Sequence, residues 1–195
     1  MMRILVSLMV LLSTSAFVHS DTCAIATATA ISSDDGNLIV RIDPGSDAER
    51  GRPKVECLAT ITKWSEQDRS YHFVQRVALR NPRRPLTAVI TKDARFLVTF
   101  DDWCLAGETE NAIVIYDLRQ GTSHSHSLES FLPPSYLRTL HHSISSTFWR
   151  SDVGTEDEQK IYVLAPRRIS QDRPWIIVDP AKDEITCDEC EKPER

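Results

Sequence analysis

The chain has 195 residues and a formal net charge of −5, with 28 acidic and 23 basic residues. A chain of this length fits one domain with its own apolar core and is too short for two full domains. Its acidic balance argues against nucleic-acid binding, which requires a basic surface.

The N-terminal segment predicts export. Arg3 precedes an apolar run from Ile4 to Val18, and one positive charge before a short apolar stretch is typical of a signal peptide. We therefore expect a signal peptide over residues 1–20 and a secreted or periplasmic product, without a later membrane span. We assign residues 21–32 to a flexible leader, 33–183 to a β-rich repeat domain and 184–195 to an acidic C-terminal tail.

Five cysteines follow the predicted cleavage point: Cys23, Cys57, Cys104, Cys187 and Cys190. Disulfides persist outside the cytoplasm, so pairing is expected, and an odd count leaves at least one thiol unpaired. A bridge between Cys57 and Cys104 is one option. Cys187 and Cys190 form a C-x-x-C in acidic surroundings, which disfavours a redox role and favours a local disulfide or two idle thiols.

Strand patterns dominate the remaining chain. Val, Ile, Phe, Tyr and Thr are concentrated in eight runs bounded by Gly, Pro, Asp or Asn: Leu38–Ile42, Val55–Trp64, Tyr71–Leu79, Leu86–Ile90, Phe96–Phe100, Ala112–Tyr116, Ile161–Leu164 and Trp175–Val178. One helical segment is predicted over Pro134–Leu140, where two prolines precede apolar residues three apart. The sequence therefore predicts a mainly β fold with one short helix.

A loose internal repeat organises these strands. Three segments each have the pattern of an acidic turn followed by an apolar strand: 33–40, 91–98 and 156–163. A second strand pattern that ends in Asp follows the last two of them, at 113–117 and 176–179. Such self-similarity at a spacing of about 60 residues indicates a repeat architecture of three units.

These units resemble the blades of bacterial WD40-like and surface-antigen β-propellers, over most of residues 34–183. The resemblance implies antiparallel, blade-like hairpins. Because a closed propeller takes about four to eight blades, we expect three units to stack as an open partial propeller or a sandwich. The alternative is that several chains complete one ring.

A narrower resemblance covers residues 99–103, 113–118, 128–133 and 143–150. This series is similar to one found in exported bacterial proteins of unassigned function. It supports a bacterial secreted product and implies no activity.

His124 and His126 are the first candidate ligands. In an extended segment, side chains two residues apart point to the same face, which would present two imidazoles to zinc or copper. Exposed histidines in a polar turn are the alternative interpretation. Cys187 and Cys190 are further candidate ligands.

A possible binding surface involves Asp101, Asp102 and Trp103, which end one strand pattern. Two carboxylates beside an aromatic ring could bind a cation or a sugar, or form an acidic turn with the ring packed on the core. Trp149 and Arg150 could join the same site, and His141 is the further candidate there.

Motifs of known catalytic chemistry are absent from the sequence, including H-E-x-x-H, phosphate-binding loops and the nucleophile elbow. We therefore expect a non-catalytic module that binds a protein or a cell-envelope component and needs no cofactor. A metal-binding protein is one alternative. A secreted hydrolase with a carboxylate site at Asp101 and Asp102 is the other.

Overall fold

The fold is mainly β in a computed structural model of the protein, which describes residues 23–47, 53–155, 159–166, 175–188 and 190. The predicted signal peptide lies outside these residues. Within the described part of the chain, no helix is both long and apolar enough to cross a bilayer.

Three four-stranded antiparallel sheets form the fold, and in each one the strand order follows the chain order. The first sheet contains β1 (Thr29–Ser32), β2 (Leu38–Asp43), β3 (Leu58–Ser65) and β4 (Ser70–Ala78). The middle sheet contains β5 (Pro85–Ile90), β6 (Phe96–Asp102), β7 (Ile113–Asp117) and β8 (Thr122–His126). The third sheet contains β11 (Asp152–Thr155), β12 (Ile161–Leu164), β13 (Trp175–Asp179) and β14 (Glu184–Asp188).

An insertion separates the middle sheet from the third. It contains a 3-10 helix (Leu128–Ser130), the helix α1 (Pro134–Leu137) and a two-stranded hairpin of β9 (His141–His142) and β10 (Thr147–Phe148). The helix begins at the predicted proline, which fits the first helical turn because it needs no amide donor there. It ends three residues earlier than expected.

The sheets pack as layers, because alternate side chains of a strand point to opposite faces. One apolar cluster lies between the first and middle sheets and includes Val40, Ile61, Leu97 and Val114. A second lies between the middle and third sheets and contains Val98, Phe100, Val163 and Ile176, among others. The middle sheet is therefore covered on both faces, which is why β6 is buried along its whole length.

The predicted acidic turns recur with the same hydrogen bonds. Ser33 Oγ donates to Asp35 Oδ1 (2.6 Å) and accepts from the Leu38 amide (3.0 Å). Thr91 Oγ1 likewise donates to Asp93 Oδ1 (2.7 Å) and accepts from the Phe96 amide (3.0 Å). Equivalent turns therefore precede the second strand of each of the first two sheets.

Both predicted domain boundaries need correction. Strand β1 falls inside the expected flexible leader, because Thr29–Ser32 pairs with β2. Strand β14 falls inside the expected acidic tail, because Glu184–Asp188 pairs with β13. The polar composition of both segments is compatible with edge strands, which need an apolar pattern on one face at most.

Candidate functional site

The insertion is seated on the second apolar cluster and places a hairpin beside the middle sheet. Leu128, Leu132, Tyr136 and Leu140 are all buried in that cluster. These apolar contacts fix the segment that leads into β9. The hairpin His141–Phe148 and the side chains beneath it form the candidate site.

Asp101 anchors the base of the hairpin. Its carboxylate is 1% exposed and accepts hydrogen bonds from Gly107 N (2.8 Å), Trp149 Nε1 (2.7 Å) and Arg150 Nε (2.8 Å). Burial raises the pKa of Asp101, and the Arg150 charge and the hydrogen bonds oppose that rise. Three of the predicted site residues thus converge in one network, and they do so inside the protein.

Asp102 lies next to this network and is also buried. It accepts hydrogen bonds from Asn81 Nδ2 (2.8 Å), Thr109 Oγ1 (2.8 Å) and Asn111 Nδ2 (3.1 Å). Buried carboxylates need such donors to offset their lost hydration. Both acidic groups therefore fix the β6–β7 connection instead of lining the floor of a pocket, the arrangement that a hydrolase would need.

Trp103 points toward the N-terminal segment. Its Nε1 donates to the carbonyl oxygen of Ala24 (2.8 Å), and the Arg84 guanidinium carbon lies 3.7 Å from its ring centroid. A cation over an aromatic face is attracted by the ring electrons. The guanidinium thus covers one face of the Trp103 ring.

The hairpin itself exposes apolar surface. Ile144 is 70% exposed and Phe148 is 48% exposed, with the His141 ring stacked on Phe148 at a centroid distance of 5.5 Å. The other side of the hairpin is held to the β6–β7 connection, because Thr147 Oγ1 donates to Glu108 Oε1 (2.5 Å) and lies 2.8 Å from His142 Nδ1.

A cleft of about 350 Å³ is bordered by the hairpin, the β6–β7 connection and the 3-10 helix. We call it the hairpin groove. Glu108, Glu110 and Glu129 line it together with His142 and Thr147. The groove is therefore acidic. Phe148 and His141 lie on the opposite side of the hairpin from the groove residues Thr147 and His142.

His124 and His126 lie on one face of β8, as predicted, and both contact the same carboxylate. His124 Nδ1 is 2.5 Å from Asp183 Oδ2, and His126 Nε2 is 2.9 Å from Asp183 Oδ1. Burial raises the pKa of Asp183, but the hydrogen bonds from the two histidines outweigh it and hold that pKa below its ordinary value. The three side chains clasp the turn between β13 and β14 to the middle sheet.

The cysteine pairing differs from one of the predicted options. Cys104 is bonded to Cys23, not to Cys57, and Cys57 is the buried free thiol. The bond ties the N-terminal segment to the β6–β7 connection. Cys187 and Cys190 form the local disulfide that the C-x-x-C favoured. Two disulfides indicate a non-cytoplasmic environment.

The predicted metal ligands do not assemble into a recognisable centre. Among the described residues, no group of three or more His, Cys, Asp or Glu side chains is arranged to hold a metal ion. Cys187 and Cys190 contribute no thiolate, because each is oxidised.

No protein-family model matches this chain, and the comparison with curated proteins finds no relative.

The function proposed below therefore depends on the chemistry of the exposed side chains. The groove residue Glu108 and the exposed side chains Ile144 and Phe148 carry no sequence signal, because nothing in their neighbours marks them as exposed. The contact of Asp183 with His126 spans 57 residues of sequence, so no local pattern could predict it.

Proposed function

We propose that this protein is an exported, non-catalytic binding module that holds a segment of a partner protein against the hairpin His141–Phe148, with contacts to its exposed apolar side and to the hairpin groove. The observation that carries the proposal is the exposure of Phe148 and Ile144 on a hairpin whose base is fixed by buried groups. Binding residues are commonly displayed on loops that a rigid scaffold positions. The predicted signal peptide and the two disulfides support a role outside the cytoplasm.

The chemistry on the two sides of the hairpin selects the partner. Carboxylates at Glu108, Glu110 and Glu129 favour Lys or Arg side chains, while Phe148 and Ile144 offer contacts to an apolar side chain. The expected ligand is an accessible protein segment of the cell envelope or the extracellular medium in which a basic residue adjoins an apolar one.

The three sheets provide the scaffold for this role. We infer that they stack as the blades of an open partial propeller, with the middle sheet between the other two. Long connections join the second and third strands of each sheet, and the 102–113 connection contributes Glu108 and Glu110 to the groove.

Selection of a phage-displayed peptide library on the mature protein tests the proposal. Enriched peptides should combine basic and apolar residues, and their affinity should fall about 10-fold in Phe148→Ala, as for a truncated anchor at a binding surface. Glu108→Gln should weaken binding at low salt more than at high salt, because the attraction is ionic. The matched control is Phe73→Ala, which removes another exposed aromatic ring, on strand β4 of the first sheet. Peptides that bind Phe148→Ala as well as they bind the wild type would refute the proposal.

Metal binding is a second candidate function, and one observation favours it. His124 and His126 contact the two oxygens of the Asp183 carboxylate, and imidazole and carboxylate are ligand types of zinc and copper. Metal analysis of the purified protein after dialysis against zinc or copper tests it. Near-stoichiometric metal that is lost in the His124→Ala/His126→Ala variant would support this function, and metal-free protein would exclude it.

A further inference from the structure

The two outermost faces of the three-sheet stack are not covered by another sheet within the described part of the chain, and both carry exposed apolar side chains. On the first sheet this outer face carries Ile39, Trp64, Tyr71 and Phe73, because Tyr71 pairs with Trp64, and Thr62 pairs with both Phe73 and Ile39. Phe73 is 64% exposed and Tyr71 is 41% exposed. We call this surface the front face.

The opposite end of the stack is the outer face of the third sheet, which we call the rear face. It carries Tyr162, Leu164, Trp175 and Ile177, while the alternate residues of the same strands are buried against the middle sheet. Trp175 is 40% exposed, and its ring meets Tyr162 edge-on at 6.3 Å between centroids. A shallow pocket beside these rings extends to Gly154.

The strand registers show which face of the middle sheet corresponds to the rear face. The hairpin that follows the third strand spans Asp117–Thr122 in the middle sheet and Asp179–Glu184 in the third, with these end residues paired in both. If Asp117 is aligned with Asp179, then Ile113 is equivalent to Trp175 and Ile115 is equivalent to Ile177.

The partner strands extend this alignment. Val98 pairs with Ile115 as Tyr162 pairs with Ile177, and Phe100 pairs with Ile113 as Leu164 pairs with Trp175. The aligned residues of the middle sheet are the ones that pack on the following sheet. The rear face therefore corresponds to a face that elsewhere in the molecule receives another sheet.

The front face corresponds to the opposite face of the middle sheet, the one that packs on the first sheet. The equivalent turns at Ser33–Leu38 and Thr91–Phe96 align Ile39 of the first sheet with Leu97 of the middle sheet. Leu97 belongs to the face that packs on the preceding sheet. The front face is thus the kind of surface that a rear face covers inside this molecule.

The charges on the two faces also complement each other. Arg41 and Arg76 lie on the front face, where Arg41 is paired with Asp43 at 2.8 Å. Asp152 and Glu184 are exposed on the rear face. Arg76 therefore gives the front face an excess of positive charge, and the two carboxylates make the rear face negative.

We propose that a second copy of this chain covers these faces, with the front face of each copy packed on the rear face of the other. Two such contacts, related by a twofold axis, join two copies into a closed assembly of six sheets. This number lies within the range of closed β-propellers, about four to eight blades. The exposed aromatic rings of both end faces are buried in the same step.

Sedimentation velocity of the mature protein tests this assembly. The wild type should sediment at twice the monomer mass in the micromolar range. Phe73→Glu on the front face and Trp175→Glu on the rear face should each raise the dimer dissociation constant about 10-fold or more. An equimolar mixture of the two variants should regain dimers, because one of its two contacts then combines an unmodified front face with an unmodified rear face.

Charge reversal provides a test in which no apolar residue changes. Arg76→Glu and Glu184→Lys should each weaken the dimer, because both residues lie on the fourth strand of their sheets, and the double variant should dimerise more strongly than either single variant. Circular dichroism of every variant verifies the fold. The hairpin variant Ile144→Ser should dimerise like the wild type, so loss of peptide binding and loss of dimerisation report on separate proposals.

Three results would overturn the inference. The first is a wild-type monomer throughout the micromolar range. The second is a dimer that Phe73→Glu disrupts and Trp175→Glu leaves intact, which would place two front faces against each other. The third is a dimer unaffected by both variants, which would place the contact on another surface.

Discussion

Arg150 Nε donates to the buried Asp101 carboxylate at 2.8 Å across 49 residues of sequence, and this bond joins the end of the hairpin segment to strand β6. The Arg150 side chain is 16% exposed and the Asp101 side chain 1%, so both charges have lost most of their water. Removing one member of a buried pair leaves the other without compensation, which is costly.

Asp101→Asn should lower the free energy of unfolding by about 3 kcal/mol. Asparagine tolerates the left-handed backbone at this position (φ 58°), and its oxygen can still accept from Trp149 and Gly107. The loss therefore reports on the unpaired Arg150 guanidinium. Urea denaturation measures it.

The Arg150→Leu variant completes a double-mutant cycle. Asp101→Asn/Arg150→Leu should be less destabilised than the sum of the two single variants, because neither charge remains buried alone. Strict additivity would contradict a direct ionic coupling.

The clasp of Asp183 by His124 and His126 should make stability depend on pH in the acid range. Because the folded pKa of Asp183 lies below its unfolded value, its contribution is present above about pH 4 and is lost as the pH falls through the folded pKa. Asp183→Asn should thus cost about 0.5–1 kcal/mol near neutral pH and less in acid. The pH series of urea midpoints checks this.

Asp68→Asn is the matched control for the clasp. Asp68 pairs with His72 at 2.9 Å, but both side chains are about half exposed and lie in one hairpin. Its removal should change stability less than removal of Asp183, which links two sheets. Equal effects of the two substitutions would show that the clasp adds nothing beyond a surface pair.

Cys57 should resist thiol reagents in the folded protein. Its side chain is buried, and desolvation raises the pKa of the thiol to about 11. Native protein should therefore react slowly with Ellman's reagent at about pH 8, and unreduced denatured protein should release one equivalent. Rapid labelling of the native protein, or three equivalents after denaturation, would contradict the burial of Cys57 or the Cys187–Cys190 disulfide.

The same thiol predicts a loss of stability in alkali. Between about pH 9 and pH 11 the unfolded thiol ionises while the folded one keeps its proton, so the free energy of unfolding falls as the pH rises. Cys57→Ala lacks this contribution and should show a shallower decline. Parallel declines in the two proteins would assign the effect to other groups.

The repeated turns show how much of the fold could be predicted. Ser33 and Thr91 are followed two residues later by Asp35 and Asp93, and both pairs form the hydrogen bonds that such a spacing favours. All eight predicted strand segments contain observed strand, although β3 begins at Leu58, three residues after the predicted start. Local hydrogen bonding and side-chain alternation suffice for these elements.

Strand β8 and the insertion were harder to predict for a physical reason. Thr122–His126 has no apolar side chain, and β9 and β10 contain two residues each, so neither gives a periodic pattern. Backbone pairing with β7 specifies β8, because Tyr116 and Val114 across the ladder supply the apolar packing. Strand β8 therefore depends on its pairing with β7.

The candidate site was likewise predictable only in part. The side-chain chemistry of Asp101, Trp149 and Arg150 marks them as site candidates, and their association in one site is one of the arrangements that the sequence suggests. Their burial could not be predicted from the neighbouring sequence, because it depends on Leu128 and Tyr136 covering the base of the hairpin.

By itself the sequence determined the mainly β character of the protein, its acidic turns and its capacity for disulfides, because these depend on side-chain chemistry over a few residues. Only the tertiary structure decided that Cys104 joins Cys23, that Asp101 lies inside, and that Phe73 and Trp175 face outward at opposite ends. These outcomes depend on which faces of the sheets meet. That choice is made by long-range packing, which buries the apolar area of the whole chain and leaves the end faces exposed.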